Sequence, residues 1–206
     1  MPSNATGSTA ENAGSGAKAL RTRDRILEQA QREASLYGID ALTIGGLATV
    51  CGLSKSGLNA HFGSKEALQI AVVDAVANRF RNEVAKPAFA ISPGVAQLIA
   101  IMEFWVRWSD HPDRPGGCQL IAASFDFDAH SGAVRDQVAM WIKMWRDAIG
   151  KAALAANKVD GTTFDPEHIA SLAFGLYMSQ HVERLLLQDG AATQRALALW
   201  GDRLRQ

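Results

Sequence analysis

The chain has 206 residues, 48% of them hydrophobic, which suits one compact domain or a small head on a larger body. Lys and Arg number 21 and Asp and Glu number 21, so a histone-like mode of nucleic-acid binding by bulk charge is excluded. No apolar run approaches the roughly 20 residues of a membrane-spanning helix, the N-terminus lacks a secretion signal's apolar core, and Cys51 and Cys118 make no metal-ligand pattern. A cytoplasmic location, with no membrane, metal or cofactor, is the resulting expectation.

Residues 1–19 are rich in Gly, Ser, Ala, Asn and Thr, with almost no large apolar groups, and read as a flexible tail. Helical periodicity follows almost throughout. Leu27, Ala30, Ala34 and Tyr37 form the stripe of a first helix, capped by Thr22 and ended by Gly38. Thr43 caps a short helix from Ile44 to Val50, Gly52-Leu53 turns, and Ser54 caps a second short helix from Lys55 to His61. Gly63 breaks it, and Ser64 starts a longer helix through Leu68, Val72, Ala75 and Val76 that ends near Lys86-Pro87. Further helices are predicted at about Val95–Ser109, Cys118–Asp128, from Ser131-Gly132 to about Ala156, from Asp165-Pro166 to about Gln188, and over 192–205. No strand and no internal repeat emerges. The fold class is all-α, with about nine helices.

Two short helices joined by a glycine turn, between two others, are a helix-turn-helix pattern. Leu47, Ala48, Leu53, Leu58 and Phe62 then face inward, and the outward residues of the second helix are free to enter a major groove. Between Lys18 and Lys65 there are seven basic and four acidic residues, a local surplus that suits a few phosphate contacts. Lys55, Ser56, Gly57 and Asn59 are the candidates for base edges, since Asn pairs bidentately with adenine. Thr43, Ser54, His61 and Lys65 complete the candidate DNA-binding set, Thr43, His61 and Lys65 on phosphates. As plain surface groups, Lys55 and Lys65 would simply be solvated.

The stretch Arg23-Asp24-Arg25-Ile26-Leu27, then Ala41-Leu42-Thr43-Ile44 and Leu47-Ala48, then Cys51 to Leu58, then His61-Phe62-Gly63-Ser64-Lys65-Glu66-Ala67-Leu68, resembles the TetR family without a gap over about residues 20–70. The resemblance implies a DNA-binding head at 20–66 and a ligand-binding and dimerisation body at 67–206. It implies a homodimeric transcriptional regulator on palindromic double-stranded operator DNA, a repressor released by a small-molecule effector. The chain departs from the family at Asn59, usually aromatic, at Ala60, usually larger, and at Gly45 and Gly46, each costing roughly 1 kcal/mol against alanine in a helix.

In the body, the last two helices offer Ile169, Leu172, Ala173, Leu176, Leu185, Leu197, Trp200 and Leu204 as a dimer interface, with intramolecular packing as the alternative. Phe104, Trp105, Trp108, Phe125, Trp141, Met144, Trp145, Tyr177 and Met178 form a pool of large side chains for an apolar ligand pocket. Asp126 and His181 are its candidate polar anchors, although aromatic stripes at helical spacing equally serve as core. Gly116-Gly117-Cys118 with Ser124–Asp126 and Gly132–Arg135 resembles the body of one large subgroup of the family. Cys118 reads as an inert buried thiol before a redox sensor. The chain shows no nucleophile–base pair and no phosphate loop, so an enzyme is not expected. A ligand-independent dimeric DNA binder and an activator are the alternatives.

Overall fold

The computed structural model describes residues 8–205, with side chains from Lys18 onward. Nine helices are present among the described residues when the run Lys65–Ala90 is counted as one. They are α1 (Ser8–Tyr37), α2 (Ile44–Cys51), α3 (Lys55–Phe62), α4 (Lys65–Phe80, continued below), α5 (Val95–Ser109), α6 (Gln119–Asp126), α7 (Ala133–Asp160), α8 (Pro166–Leu185) and α9 (Ala192–Leu204). None is long and apolar enough to cross a membrane.

The first helix departs from its expected start. It reaches back to Ser8, and Thr22 is not a cap but lies mid-helix, its hydroxyl donating to the carbonyl of Lys18 (3.0 Å). Alanines at 10, 13, 17 and 19 are strong helix formers. Of the expected tail, residues 1–7 lie outside the described residues. The buried stripe of α1 is Ile26, Ala30 and Ala34, whereas Tyr37 is exposed.

The helix that follows α3 does not end at Pro87. After Phe80 it widens into a π turn, Arg81–Ala85, then runs on as a short α-helical turn, Lys86–Ala90. In the π turn the Lys86 N–H donates to the carbonyl of Arg81, five residues back. A proline inside an α-helix collides with the carbonyl four residues earlier and lacks its own donor. Widening the preceding turn relieves that register, and the helix survives.

The body packs α7 against α8, α8 against α9, and α5 against α7 and α9. Trp200 of α9 is wholly buried and donates its indole N–H to the Leu98 carbonyl of α5 (2.8 Å). Asp165 caps α8 by accepting the His168 N–H (2.8 Å), with Pro166 at the first helical position. α8 stops at Leu185, short of the expected Gln188, which adopts φ 55. α6 is shorter than expected, and α7 runs to Asp160, where Gly161 turns left-handed at φ 71.

Candidate functional site

The head is locked from within. Leu47 and Ala48 of α2 and Leu58 and Phe62 of α3 are buried together with Ile39, Leu42 and Ile44. Gly52 turns the chain at φ 65, a left-handed conformation that a Cβ disfavours, and Leu53 donates to the Ala48 carbonyl (2.9 Å). Thr43 Oγ1 accepts the Gly46 N–H, Ser54 Oγ the Gly57 N–H and Ser64 Oγ the Ala67 N–H, each at 3.0 Å. These three hydroxyls satisfy donors that the helix starts would otherwise leave free. Glycine at 46 and 57 suits this close capping, because a Cβ on either would lie 3.0 Å from the capping oxygen.

What α3 turns outward is Lys55, Ser56 and Asn59, all exposed, with Ala60 beside them. Their spacing places one ammonium, one hydroxyl and one amide along a single face, a set able to read base edges. Gly57 is half-buried against the Ser54 cap. His61 is half-buried, and its carbonyl accepts from Arg23 Nη1 (2.6 Å). The Arg23 guanidinium also lies over the Phe62 ring, 4.4 Å from its centroid. Arg23 thus fastens the end of α3 to α1, a role that sequence spacing does not reveal because the two groups are 38 residues apart. Lys65 is not a free cation: its Nζ is 3.3 Å from Asp40 Oδ1, holding the α1–α2 loop to the start of α4 and lowering the pKa of Asp40. Gln69 reinforces this seam by donating to the Ile39 carbonyl (3.1 Å).

The body contains a cavity of about 440 Å³ between the end of α4, its π turn, α5 and α7. Of the expected pool, Trp105, Trp141, Met144 and Trp145 line it. The others lie elsewhere. Trp108 is core, covered by the Arg114 guanidinium at 3.6 Å from its centroid. Tyr177 is wholly buried and stacks flat on Trp105 at 4.2 Å. Phe125 is 56% exposed on α6. Phe104 and Met178 pack from the edge of the core. His181 is half-buried against Gly117, and its pKa is lowered chiefly by burial and then by the Arg184 charge. Asp126 sits at the head–body seam beside Gly38, its pKa raised mainly by burial. The lining that was not anticipated is Phe80, Arg81, Ala85 and Phe89, together with Leu120, Ile142, Ala148 and Lys151. Of these, Phe89 depends on the helix passing through Pro87, which sequence rules treat as a stop, and Arg81 and Ala85 lie on the π turn that carries it through.

Hydrogen bonds run from the cavity wall to α4 and, through the loop at 114–116, to α1. Trp141 donates its indole N–H to Asp74 of α4 (3.0 Å). Glu83, on the π turn, accepts from the buried Arg114 (3.2 Å), whose Nε also donates to the Trp108 carbonyl (2.7 Å). Two residues on, the Gly116 N–H donates to Ser35 Oγ of α1 (3.1 Å). Cys118, also on the lining, is buried, and that burial pushes its thiol pKa up, the direction that suppresses thiolate chemistry.

The expected dimer residues divide. Ile169, Ala173, Trp200 and Leu204 are buried in their own subunit, because α8 is flanked by α7 and α9 and uses those positions internally. Leu172, Leu176, Leu185 and Leu197 are partly buried. The outer face of α8 carries Ser171, Gly175, Ser179 and Val182, all exposed, with exposed Leu186 just past its end, and α9 adds Leu199.

Comparison with known proteins agrees with this architecture. Residues 26–72 match the model described as bacterial regulatory proteins, tetR family, and residues 94–200 match the tetracyclin repressor-like C-terminal domain. No curated protein matches the chain. Among solved structures, a TetR transcriptional regulator from Chloroflexus aurantiacus is similar at 23% identity and TM-score 0.82, covering 92% of this chain and 96% of that one. AibR in complex with isovaleryl coenzyme A and operator DNA is similar at 20% identity and TM-score 0.68, covering 89% and 97%. A transcriptional regulator from Saccharomonospora viridis in complex with choline is similar at 18% identity and TM-score 0.72, covering 90% and 96%.

Proposed function

Because the chain belongs to the tetR family of bacterial regulatory proteins, a family of DNA-binding transcriptional regulators and not of enzymes, we propose that it is a homodimeric repressor released from its operator by a small ligand. The observation that carries this reading is the continuity of one helix. α4 begins at the capped turn after the outward face of α3 and ends, through the π turn, as a wall of the cavity.

The DNA contacts follow from what the head exposes around α3. Lys55, Ser56 and Asn59 reach base edges. Backbone N–H groups at the capped starts of α2 and α4 favour phosphates, with His61 and Lys65 beside them. The outer face of α8, with its small residues and exposed Val182 and Leu186, meets the same face of a second copy about a twofold axis. Two heads then address successive major-groove faces, about 34 Å apart, so the operator is palindromic. Its work on the chromosome places the protein in the cytoplasm.

Ligand in the cavity displaces Trp141 and the π turn. Asp74 and the Glu83–Arg114–Gly116 connection carry that displacement to α4 and α1. A coupling of roughly 1–3 kcal/mol lowers DNA affinity about 5–150-fold. AibR, captured with both isovaleryl coenzyme A and operator DNA, supports a ligand site and a DNA site on one chain of this fold. Genomic fragments selected by the purified protein, titrated by fluorescence anisotropy with and without ligand, test it. Sequence-specific binding that no ligand weakens would leave a constitutive DNA binder, and no specific binding would remove the operator reading altogether.

A further inference from the structure

The ligands bound by the two relatives differ in charge, one an acyl thioester of an anionic carrier and one a cation, so family likeness does not choose between them. The residues of this cavity do. Resting on the effector site proposed above, we infer that the cavity takes a small amphipathic anion: an apolar body inside, and a carboxylate or similar group at the mouth between Arg81 and Lys151.

The interior is aromatic. Phe80, Trp105 and Trp145 meet edge to face, Phe80 against Trp145 at 4.9 Å and Trp105 against Trp145 at 5.7 Å, and Phe89 meets Trp145 at 6.4 Å. One face of Trp105 is covered by Tyr177. Ring faces engaged in this way are poorly placed to surround an ammonium. The lining contains a single carboxylate, Asp147, and it is exposed. A cation drawn inside would therefore lose its hydration without a buried counter-charge, which is costly.

The mouth favours the opposite sign. Arg81 and Lys151 both line the cavity and are both exposed, so their charged ends stand where the cavity meets water. Nearby cations are committed: Arg79 and Arg114 to Glu83, and Arg146 to Glu167. Arg81 and Lys151 enter no such pair among the described residues. The mouth holds two cations against one carboxylate, and an anion there stays hydrated while its apolar portion is buried. Arg81 also belongs to the π turn, so the anion would pull directly on the segment that joins α4 to the cavity.

Titration calorimetry on the full-length protein tests this with three probes of one shape: 2-naphthoate, 2-naphthalenemethanol and 2-naphthylmethylammonium. Decanoate against decanol repeats the comparison for a flexible chain and distinguishes an aromatic from an acyl body. The naphthoate is expected to bind roughly three- to tenfold tighter than the alcohol, the range of two exposed ion pairs, and the ammonium weakest. Arg81→Gln with Lys151→Gln should abolish the preference of naphthoate over alcohol, and an unchanged melting temperature reports an intact fold. Asp147→Asn should tighten the naphthoate alone. Tightest binding of the ammonium, equal affinity for all three, or a preference that survives the double substitution would overturn the inference while leaving the cavity an effector site. Failure of every probe to bind would remove the effector site itself.

Discussion

Gly116 is a point of close contact between the body and α1. A Cβ at this position would lie 1.7 Å from the Ser35 carbonyl oxygen of α1, and the two segments would have to part by about as much again to reach an ordinary contact near 3.4 Å. The obstacle is helical backbone, not the flexible end of a side chain, so the strain of Gly116→Ala cannot be relieved by a rotamer change. Overpacking of this kind costs about 1–3 kcal/mol, and separation also breaks the Gly116 N–H to Ser35 Oγ bond, worth about 1 kcal/mol. For a chain of this size each kcal/mol lowers the melting temperature by roughly 2–4 °C, so a drop on the order of 10 °C is expected. Ser35→Ala is the matched control. It removes the hydrogen bond and keeps the close approach, and it should lower the melting temperature by only about 2–4 °C. Thermal melts by circular dichroism at one fixed protein concentration make the comparison. A Gly116→Ala protein that melts with the unsubstituted protein, or with Ser35→Ala, would refute the claim that loop and α1 are pressed together.

The other predictions concern the DNA face, the dimer and pH. Lys55→Ala should weaken operator binding by about 1–3 kcal/mol without lowering the melting temperature, since the side chain is exposed; anisotropy titrations that show no loss would remove Lys55 from the interface. Gly175→Ala should favour the α8 helix by roughly 1 kcal/mol, because nothing in the same subunit lies within 4 Å of the added Cβ. If a partner helix packs there, sedimentation will nevertheless show a weakened dimer, and an unchanged dimer would place the interface elsewhere. His181 has a folded-state pKa below its ordinary 6.5, so the folded form resists the proton that the unfolded form accepts. Its contribution to stability is therefore full above pH 6.5 and declines as the pH falls from there toward the folded-state value. Denaturant melts across that window should show this loss, and His181→Gln should flatten it; an equally steep decline in the variant would assign the effect to other groups.

The amino-acid sequence by itself determined the order of helices and the reading head, because both depend on local chemistry. Thr43, Ser54 and Ser64 cap the helices they precede, Gly52 and Gly63 have the positive φ that their turns require, and the outward Lys55, Ser56 and Asn59 follow from helical spacing alone. Tertiary structure decided which apolar residues line a space and which fill one. Trp105 and Trp108 are three residues apart on α5, yet the first borders the cavity and the second lies beneath Arg114, a choice made by segments distant in sequence. Likewise Ile169, Ala173, Trp200 and Leu204 carry the pattern of an interface but are spent inside the subunit. Only three-dimensional packing carried the helix through Pro87 by way of a π turn, and so brought Phe89 to the cavity. A helix start or a tight turn is an agreement among a few adjacent residues, whereas a cavity is what remains when helices distant in sequence fail to close on one another.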